Sequence, residues 1–112
     1  MNCFIGPCSL LNRVDDLRIK TLPLKFTQKE VLEGLESTPP VCLFGNADRD
    51  VVDMLRKRRF PVDVNENAKF LPKKGDWIFV AHFTRGSENE GRLVPPSLSI
   101  DCLLVVNAGN GR

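Results

Sequence analysis

The chain has little of what most catalytic and metal-binding sites require. Its 112 residues include four cysteines and a single histidine, His82. No cysteines form a Cys-x-x-Cys pair and none has a histidine at metal-ligand spacing, which argues against a zinc site. Ser9 lacks a Gly-x-Ser-x-Gly context, and no pair of aspartates has the setting of a metal site. His82 lies in an apolar run, where a histidine is more often a hydrogen-bonded structural residue than a catalyst. We therefore expect neither conventional hydrolase chemistry nor a cofactor.

Aromatic residues and net charge are also low. The chain has one tryptophan and no tyrosine, so a platform for stacking nucleobases is poorly supplied. A net charge of +2 permits a polyanionic partner but does not require one. No apolar run approaches the ~18 residues of a membrane span, and the first residues lack the pattern of a signal peptide. These features predict a cytoplasmic protein that does not enter a membrane.

The cysteines are predicted to be free thiols. Cys3, Cys42 and Cys102 each lie inside an apolar run. Such placement is typical of small buried hydrophobic residues in a reducing compartment. We favour free thiols over disulfides for this reason.

Hydrophobic periodicity predicts one α/β domain over residues 1–106, followed by a flexible tail at 107–112. Thr27 to Glu30 forms a capping box that begins one helix, and Val51, Met54 and Leu55 form the buried stripe of another. The predicted architecture is a mixed sheet of about five strands flanked by helices. Strands are predicted within residues 2–5, 18–26, 41–44, 60–64, 77–83 and 100–106, and a loop is predicted over 84–92.

Two of the predicted strands have a defined position. The run from Trp77 to Phe83 is the most continuously apolar in the chain, which predicts the centre of the sheet. The strand within 18–26 contains Pro23, which cannot complete a central hydrogen-bond ladder and so favours an edge.

A strand, a turn and a helix follow one another around Gly45-Asn46. The apolar run that begins at Val41 ends there, and the helix behind it carries the basic run Arg56-Lys57-Arg58-Arg59. Glycine permits a sharp turn, and free N–H groups at a helix start can bind an anion. An anionic ligand is one interpretation; a simple connection between two elements is the other.

Other groups that can bind phosphate also follow or precede predicted strands. Ser9 follows the first strand, Arg59 precedes the fourth, and Arg85 follows the central strand. Ligands of open α/β sheets collect outside strand ends, so a shared site is a reasonable hypothesis. Arg85 is the strongest candidate because it leaves the most buried strand, although a solvated loop arginine is the alternative.

These positions resemble those of the small anti-CRISPR ring nucleases of archaeal viruses and phages. Members of that family are dimeric α/β proteins that bind and cleave cyclic tetra-adenylate, the messenger of type III CRISPR defence. Their first strand runs into Asn-Ala-Phe-Ser and then leucine. The comparable segment here is 4–11, in which Ser9 matches the ligand-contacting serine and Gly6 departs from the asparagine.

The resemblance continues to about Leu93. Gly45-Asn46 stands where the family has Gly-His before a helix, and Arg59 is the nearest candidate for its phosphate-contacting basic residue. The family's Arg-Leu-x-Glu-Gly-Lys has its counterpart in Arg85, which is followed, after an apparent two-residue insertion, by Asn89-Glu90-Gly91-Arg92-Leu93.

The resemblance implies a homodimer whose shared pocket binds a cyclic oligonucleotide of the cyclic oligoadenylate class. The implied ligand-binding residues are Ser9, Gly45, Asn46, Arg59, Arg85 and Glu90. Cleavage in the family uses the ligand's own 2′-hydroxyl and needs no metal. Asn46 replaces the family's general acid, and an amide cannot protonate a leaving oxygen. The expectation is therefore a viral anti-defence protein that sequesters its ligand in the host cytoplasm with slow or no cleavage.

A second interpretation stays open. The basic run Arg56 to Arg59, together with the predicted loop over 84–92, would suit a non-enzymatic module that binds a protein or single-stranded RNA.

Overall fold

The computed structural model describes residues 1–108 of the chain. Within them, five strands form one mixed sheet in the order β2-β7-β4-β1-β3, and β5 pairs with β6 in a separate hairpin. The predicted α/β class, with a mixed sheet of about five strands flanked by helices, is confirmed. The elements in chain order are β1 Cys3–Pro7, α1 Leu10–Asp16, β2 Lys20–Leu24, α2 Gln28–Ser37, β3 Val41–Cys42, a 3₁₀ turn Asn46–Asp48, α3 Arg49–Lys57, β4 Trp77–Thr84, β5 Ser87–Asn89, β6 Arg92–Val94 and β7 Ser97–Asn107.

β4 lies at the centre of the sheet, as its apolar sequence predicts. It pairs in parallel with β1 on one side and antiparallel with β7 on the other. Ile78 and Val80 belong to the core on one face of the sheet, and Phe79 and Ala81 belong to the core on the other. All four side chains are buried, which explains why the strand needs an unbroken apolar run.

Helices cover both faces of the sheet. On one face, α2 and α3 contribute Val31, Leu35, Val52 and Leu55 to the core that contains Phe79. The other face is covered by α1 and by the segment around residue 70. No helix among residues 1–108 is long and apolar enough to cross a membrane.

Local signals at β2 and α2 act as the sequence predicts. β2 forms one edge of the sheet and pairs only with β7, so the missing N–H of Pro23 costs no central hydrogen bond. At α2, the Thr27 Oγ1 accepts the backbone N–H of Glu30 at 3.2 Å, and the same hydroxyl donates to the Glu30 carboxylate.

Two predicted segments are wrong. Residues 60–64 do not form a strand: Val64 makes one parallel bridge with Phe44, and Pro61 removes a ladder donor. The predicted loop over 84–92 contains the β5–β6 hairpin. Its turn residues Glu90 and Gly91 both have positive φ, 52° and 78°, as the tight turns of two-residue hairpins require.

Of the tail predicted over residues 107–112, the structure describes only Asn107 and Ala108. Asn107 is the last residue of β7, and residues 109–112 lie outside the described part of the chain.

Asp76 joins three segments at the start of β4. Its side chain is only 4% exposed. Its carboxylate accepts the N–H of Asn2 at 3.0 Å and the N–H of Lys73 at 2.8 Å. Its backbone carbonyl accepts the N–H of Val105 at 2.9 Å. One residue therefore fixes the beginning of β1, the turn before β4 and the end of β7.

We predict that Asp76→Ala strongly destabilises the fold. The substitution leaves the part-buried amides of Asn2 and Lys73 without their acceptors, at a combined cost of about 1–3 kcal/mol. Urea unfolding of the variant measures the loss. Glu33→Ala on the exposed face of α2 is the control and should change stability by no more than about 0.5 kcal/mol. Equal unfolding midpoints for the two variants would contradict a structural role for Asp76.

Candidate functional site

The carboxyl ends of three neighbouring strands meet at one edge of the sheet. β4, β1 and β3 are adjacent and all parallel. Residues that follow these strands therefore lie along the same end of the sheet, where the strands finish. We call this end the carboxyl edge. Ser9 follows β1, Gly45 and Asn46 follow the Phe44–Val64 bridge just beyond β3, and Arg85 follows β4. The structure thus brings four of the six sequence candidates to one edge.

Ser9 presents its hydroxyl at this edge. It precedes α1, is exposed, and makes no side-chain capping hydrogen bond to that helix. Only its backbone carbonyl is engaged, by the N–H of Asn12 at 3.1 Å. The hydroxyl can therefore donate to or accept from a ligand.

Gly6, at the position where the ring nucleases that the sequence resembles have asparagine, has a packing role. A Cβ at this position would lie 3.1 Å from Leu10 Cδ2 and 3.2 Å from Leu43 Cβ. Those two side chains belong to the core on the α1 face. The glycine lets α1 pack closely against β1, and a polar side chain has no room there.

The backbone N–H groups of Gly45 and Asn46 already donate hydrogen bonds to carboxylates. The Gly45 N–H donates to Asp48 Oδ2 at 2.8 Å, and the Asn46 N–H donates to Glu66 Oε1. The Asn46 side chain is oriented by Arg49, whose Nη2 donates to its Oδ1 at 3.1 Å. An anion that reaches these amides must therefore replace carboxylates that already bind them.

Sequence reasoning missed Glu66. Nothing in the local pattern marks this residue, which lies 20 positions from Asn46 along the chain. It reaches the carboxyl edge because Val64 pairs with Phe44, one residue before Gly45. A single long-range bridge leaves no periodic signal in the sequence.

Arg85 forms an ion pair at the carboxyl edge. Its Nη2 lies 2.8 Å from Oδ2 of Asp50, in the first turn of α3. The two side chains are 76% and 57% exposed, so solvent screens the pair and it contributes little to stability. The pair holds the guanidinium near the beginning of α3, and a phosphate can replace the carboxylate.

Arg59 and Glu90 do not join this group. Arg59 follows α3 in the left-handed conformation, with a φ of 68°, and its N–H donates to the Arg56 carbonyl. Glu90 is exposed in the turn of the β5–β6 hairpin. Within residues 1–108, no hydrogen bond or ion pair connects either side chain to the other candidates.

A polar cleft adjoins Asn46. It has a volume of about 430 Å³ and lies between α3 and the segment 63–67. Arg56 is held in its wall: Nε donates to the Val62 carbonyl at 3.0 Å, and Nη2 lies 2.7 Å from Asp63 Oδ1. The cleft also contains Asp53, so it offers both donors and acceptors to a polar ligand.

The Nε2 atom of His82 and the thiols of Cys3 and Cys102 are buried, and the thiol of Cys42 is half-buried. His82 Nε2 lies 2.7 Å from Asp101 Oδ2, although the contact lacks hydrogen-bond geometry. All four cysteines are free, as predicted. Burial raises the pKa of Cys3 and Cys42, and it raises the pKa of Cys102 to about 12, so these thiols stay protonated at neutral pH. Within residues 1–108, no group of three potential metal ligands comes together.

Comparison of the chain with protein-family models, curated proteins and solved structures finds no match. The geometry of the carboxyl edge and the resemblance of short motifs are the two features that indicate a function.

We predict that Gly6→Asn, which introduces the asparagine of the ring nucleases that the sequence resembles, destabilises the protein. The new side chain must displace Leu10 or Leu43, and such overpacking costs about 1–3 kcal/mol. Gly34→Asn on α2 is the matched control, because no atom lies within 4 Å of a Cβ built there. Thermal unfolding of both variants tests the difference. A Gly6→Asn variant as stable as the wild type would show that the position tolerates a polar side chain.

Proposed function

We propose that the protein binds a cyclic oligonucleotide of the cyclic oligoadenylate class at the carboxyl edge and sequesters it with slow or no cleavage. The observation that carries this proposal is the convergence of Ser9, Gly45, Asn46 and Arg85 at the ends of three parallel strands. The resemblance to ring nucleases supports the ligand class. Removing such a messenger from a host cytoplasm would make the protein a viral anti-defence factor.

Charge at the carboxyl edge favours a shared pocket in a homodimer. Each chain contributes Arg49 and Arg85, but also the carboxylates of Asp48, Asp50 and Glu66. One chain therefore offers a weak anion site. Two copies related by a two-fold axis would supply each arginine twice around a ring of phosphates, and the phosphates would have to displace the carboxylates, which are doubled as well.

Binding would proceed by exchange of partners. A ligand phosphate replaces the Asp50 carboxylate on Arg85, while the Ser9 hydroxyl donates to a second oxygen. Charge-assisted hydrogen bonds of this kind contribute about 1.5–3 kcal/mol each. The exposed Asp50 loses little when it returns to solvent, because its ion pair is already screened.

Slow turnover follows from the chemistry at position 46. The amide of Asn46 can bind phosphate or ribose, but it has no proton to give to a leaving oxygen at neutral pH. Attack by the ligand's own 2′-hydroxyl requires only correct positioning, which leaves a slow residual rate.

The alternative, a protein- or RNA-binding module that uses the basic run, receives less support. Arg56 is bound to Val62 and Asp63, and Arg58 Nη1 donates to the Leu98 carbonyl at 3.1 Å. Two of the four basic side chains are therefore engaged within the fold, which leaves Lys57 and Arg59 as the exposed remainder of the run. The half-buried Trp77 stacks on Phe26 and offers no open platform for a base.

We predict that Arg85→Ala lowers affinity for cyclic tetra-adenylate by at least about tenfold per chain, because it removes a charge-assisted phosphate contact. Isothermal titration calorimetry measures both the affinity and the stoichiometry. Lys29→Ala, which removes an exposed charge on α2, is the control and should bind like the wild type.

The same titration tests the homodimer. One ring per two chains is the expected stoichiometry. Wild-type affinity in Arg85→Ala would show that this arginine is a solvated surface residue, and one ring per chain would exclude the shared pocket.

We predict that Asn46→His gains metal-independent cleavage of cyclic tetra-adenylate. An imidazole at this position can act as a general acid, which typically contributes about 10²–10⁴-fold to rate. The carboxylates of Asp48 and Glu66 nearby favour its protonated form, whereas the Arg49 guanidinium that binds the Asn46 side chain opposes it. A single-turnover assay in the presence of a chelator compares the variant with the wild type. Asn46→Gln is the control, since it keeps an amide and should stay slow.

Rapid cleavage by the wild type would contradict sequestration. His82 is the only histidine in the wild-type chain, and His82→Ala would then test whether it supplies the proton.

A further inference from the structure

The polar cleft beside Asn46 contains two groups that the proposed phosphate contacts do not use. The first is the guanidinium of Arg56, which faces the cleft while two contacts hold it in place. The second is the carboxylate of Asp53, which has no hydrogen-bond or ion-pair partner among residues 1–108. The cleft volume of about 430 Å³ falls in the range of small-molecule sites.

The helix brings these groups together. Arg49, Asp53 and Arg56 are spaced by four and three residues on α3, so their side chains lie along one face of the helix. That face forms one wall of the cleft. At the N-terminal end of α3, Arg49 contacts Asn46 and thereby connects the cleft to the carboxyl edge.

The contacts of Arg56 fix the orientation of its planar side chain. The Nε donates to the Val62 carbonyl, and Nη2 pairs with Asp63. Binding on two edges leaves the flat face of the guanidinium unhindered by these partners. Proteins use such guanidinium planes to stack nucleobases where aromatic side chains are lacking.

Asp53 supplies the selective element. An ionised carboxylate only accepts hydrogen bonds, so it attracts an amino group and repels a carbonyl oxygen. A purine with an exocyclic amino group at C6 therefore suits a carboxylate beside a stacking surface, whereas a purine with oxygen at C6 does not.

We propose that this cleft receives a base of the ligand, which stacks on Arg56 and donates its exocyclic amino group to Asp53. The inference rests on the proposed function, because it assumes that a cyclic oligonucleotide occupies the adjacent carboxyl edge. The cleft would then be a base-recognition site that is separate from the groups that bind phosphate.

Two rings that share the same phosphate backbone test the role of Asp53. Calorimetry compares cyclic tetra-adenylate with cyclic tetra-inosylate, in which oxygen replaces the amino group at C6. The wild type should prefer the adenine ring by at least about tenfold. In Asp53→Asn the amide can also donate to oxygen, so the preference should fall below about threefold. Glu33→Gln removes the same charge outside the cleft and should keep the wild-type ratio.

Arg56→Lys tests the stacking surface. Lysine keeps the positive charge but lacks the plane, so both rings should weaken by about tenfold while their ratio is unchanged. Circular dichroism verifies that the variant is folded, since Arg56 also binds the Val62 carbonyl. Wild-type affinity in folded Arg56→Lys would overturn the stacking contact.

The two proposals fail in different ways. If neither ring binds the wild type, the proposed function is overturned and the base site with it. If the adenine ring binds but the inosine ring binds equally well, or if Asp53→Asn keeps the wild-type ratio, only the base site is overturned.

Discussion

The parallel pairing of β1 with β4 is the constraint on which the rest of the structure depends. Because β3 also pairs in parallel with β1, the three strands end on the carboxyl edge, and the residues that follow each strand lie there. An antiparallel arrangement would send Ser9 and Arg85 to opposite ends of the sheet. The antiparallel β7 pairs with the free side of β4 and, through Val105, closes on Asp76 at the far edge. Hydrogen bonds to the buried Asp76 thus connect the strands at one end of the sheet, while the carboxyl edge at the other end is open to solvent.

The open edge satisfies its own polar groups. Backbone amides at Gly45 and Asn46 are bound by carboxylates, and Arg85 is bound by Asp50. These polar groups therefore have partners without any ligand, and an anion that binds at this edge must exchange with carboxylates already in place.

The sequence predicts well those parts of the fold that are determined by residues close together in the chain. Pro23 marks an edge because of its own missing donor, and Thr27 begins α2 through a residue three positions away. The approach of Glu66 to Asn46 is different, since it depends on the bridge between Val64 and Phe44 and on nothing visible near either residue. The site could therefore be predicted only where it follows strand ends. The carboxylates that fill it and the cleft beside it could not.

The separation of β1 from β4 along the chain has a consequence for the nascent protein. Asn2 and Asp76, which hydrogen-bond in the finished fold, are 74 residues apart. At about 5–20 residues per second, a ribosome needs about 4–15 s to make the partner of the first strand. Throughout that interval Phe4 and Ile5 have no neighbouring β4 to cover them. The sheet can close only after β4 and β7 have been synthesised, and until then the apolar strand β1 remains a target for chaperones or for other unfinished chains.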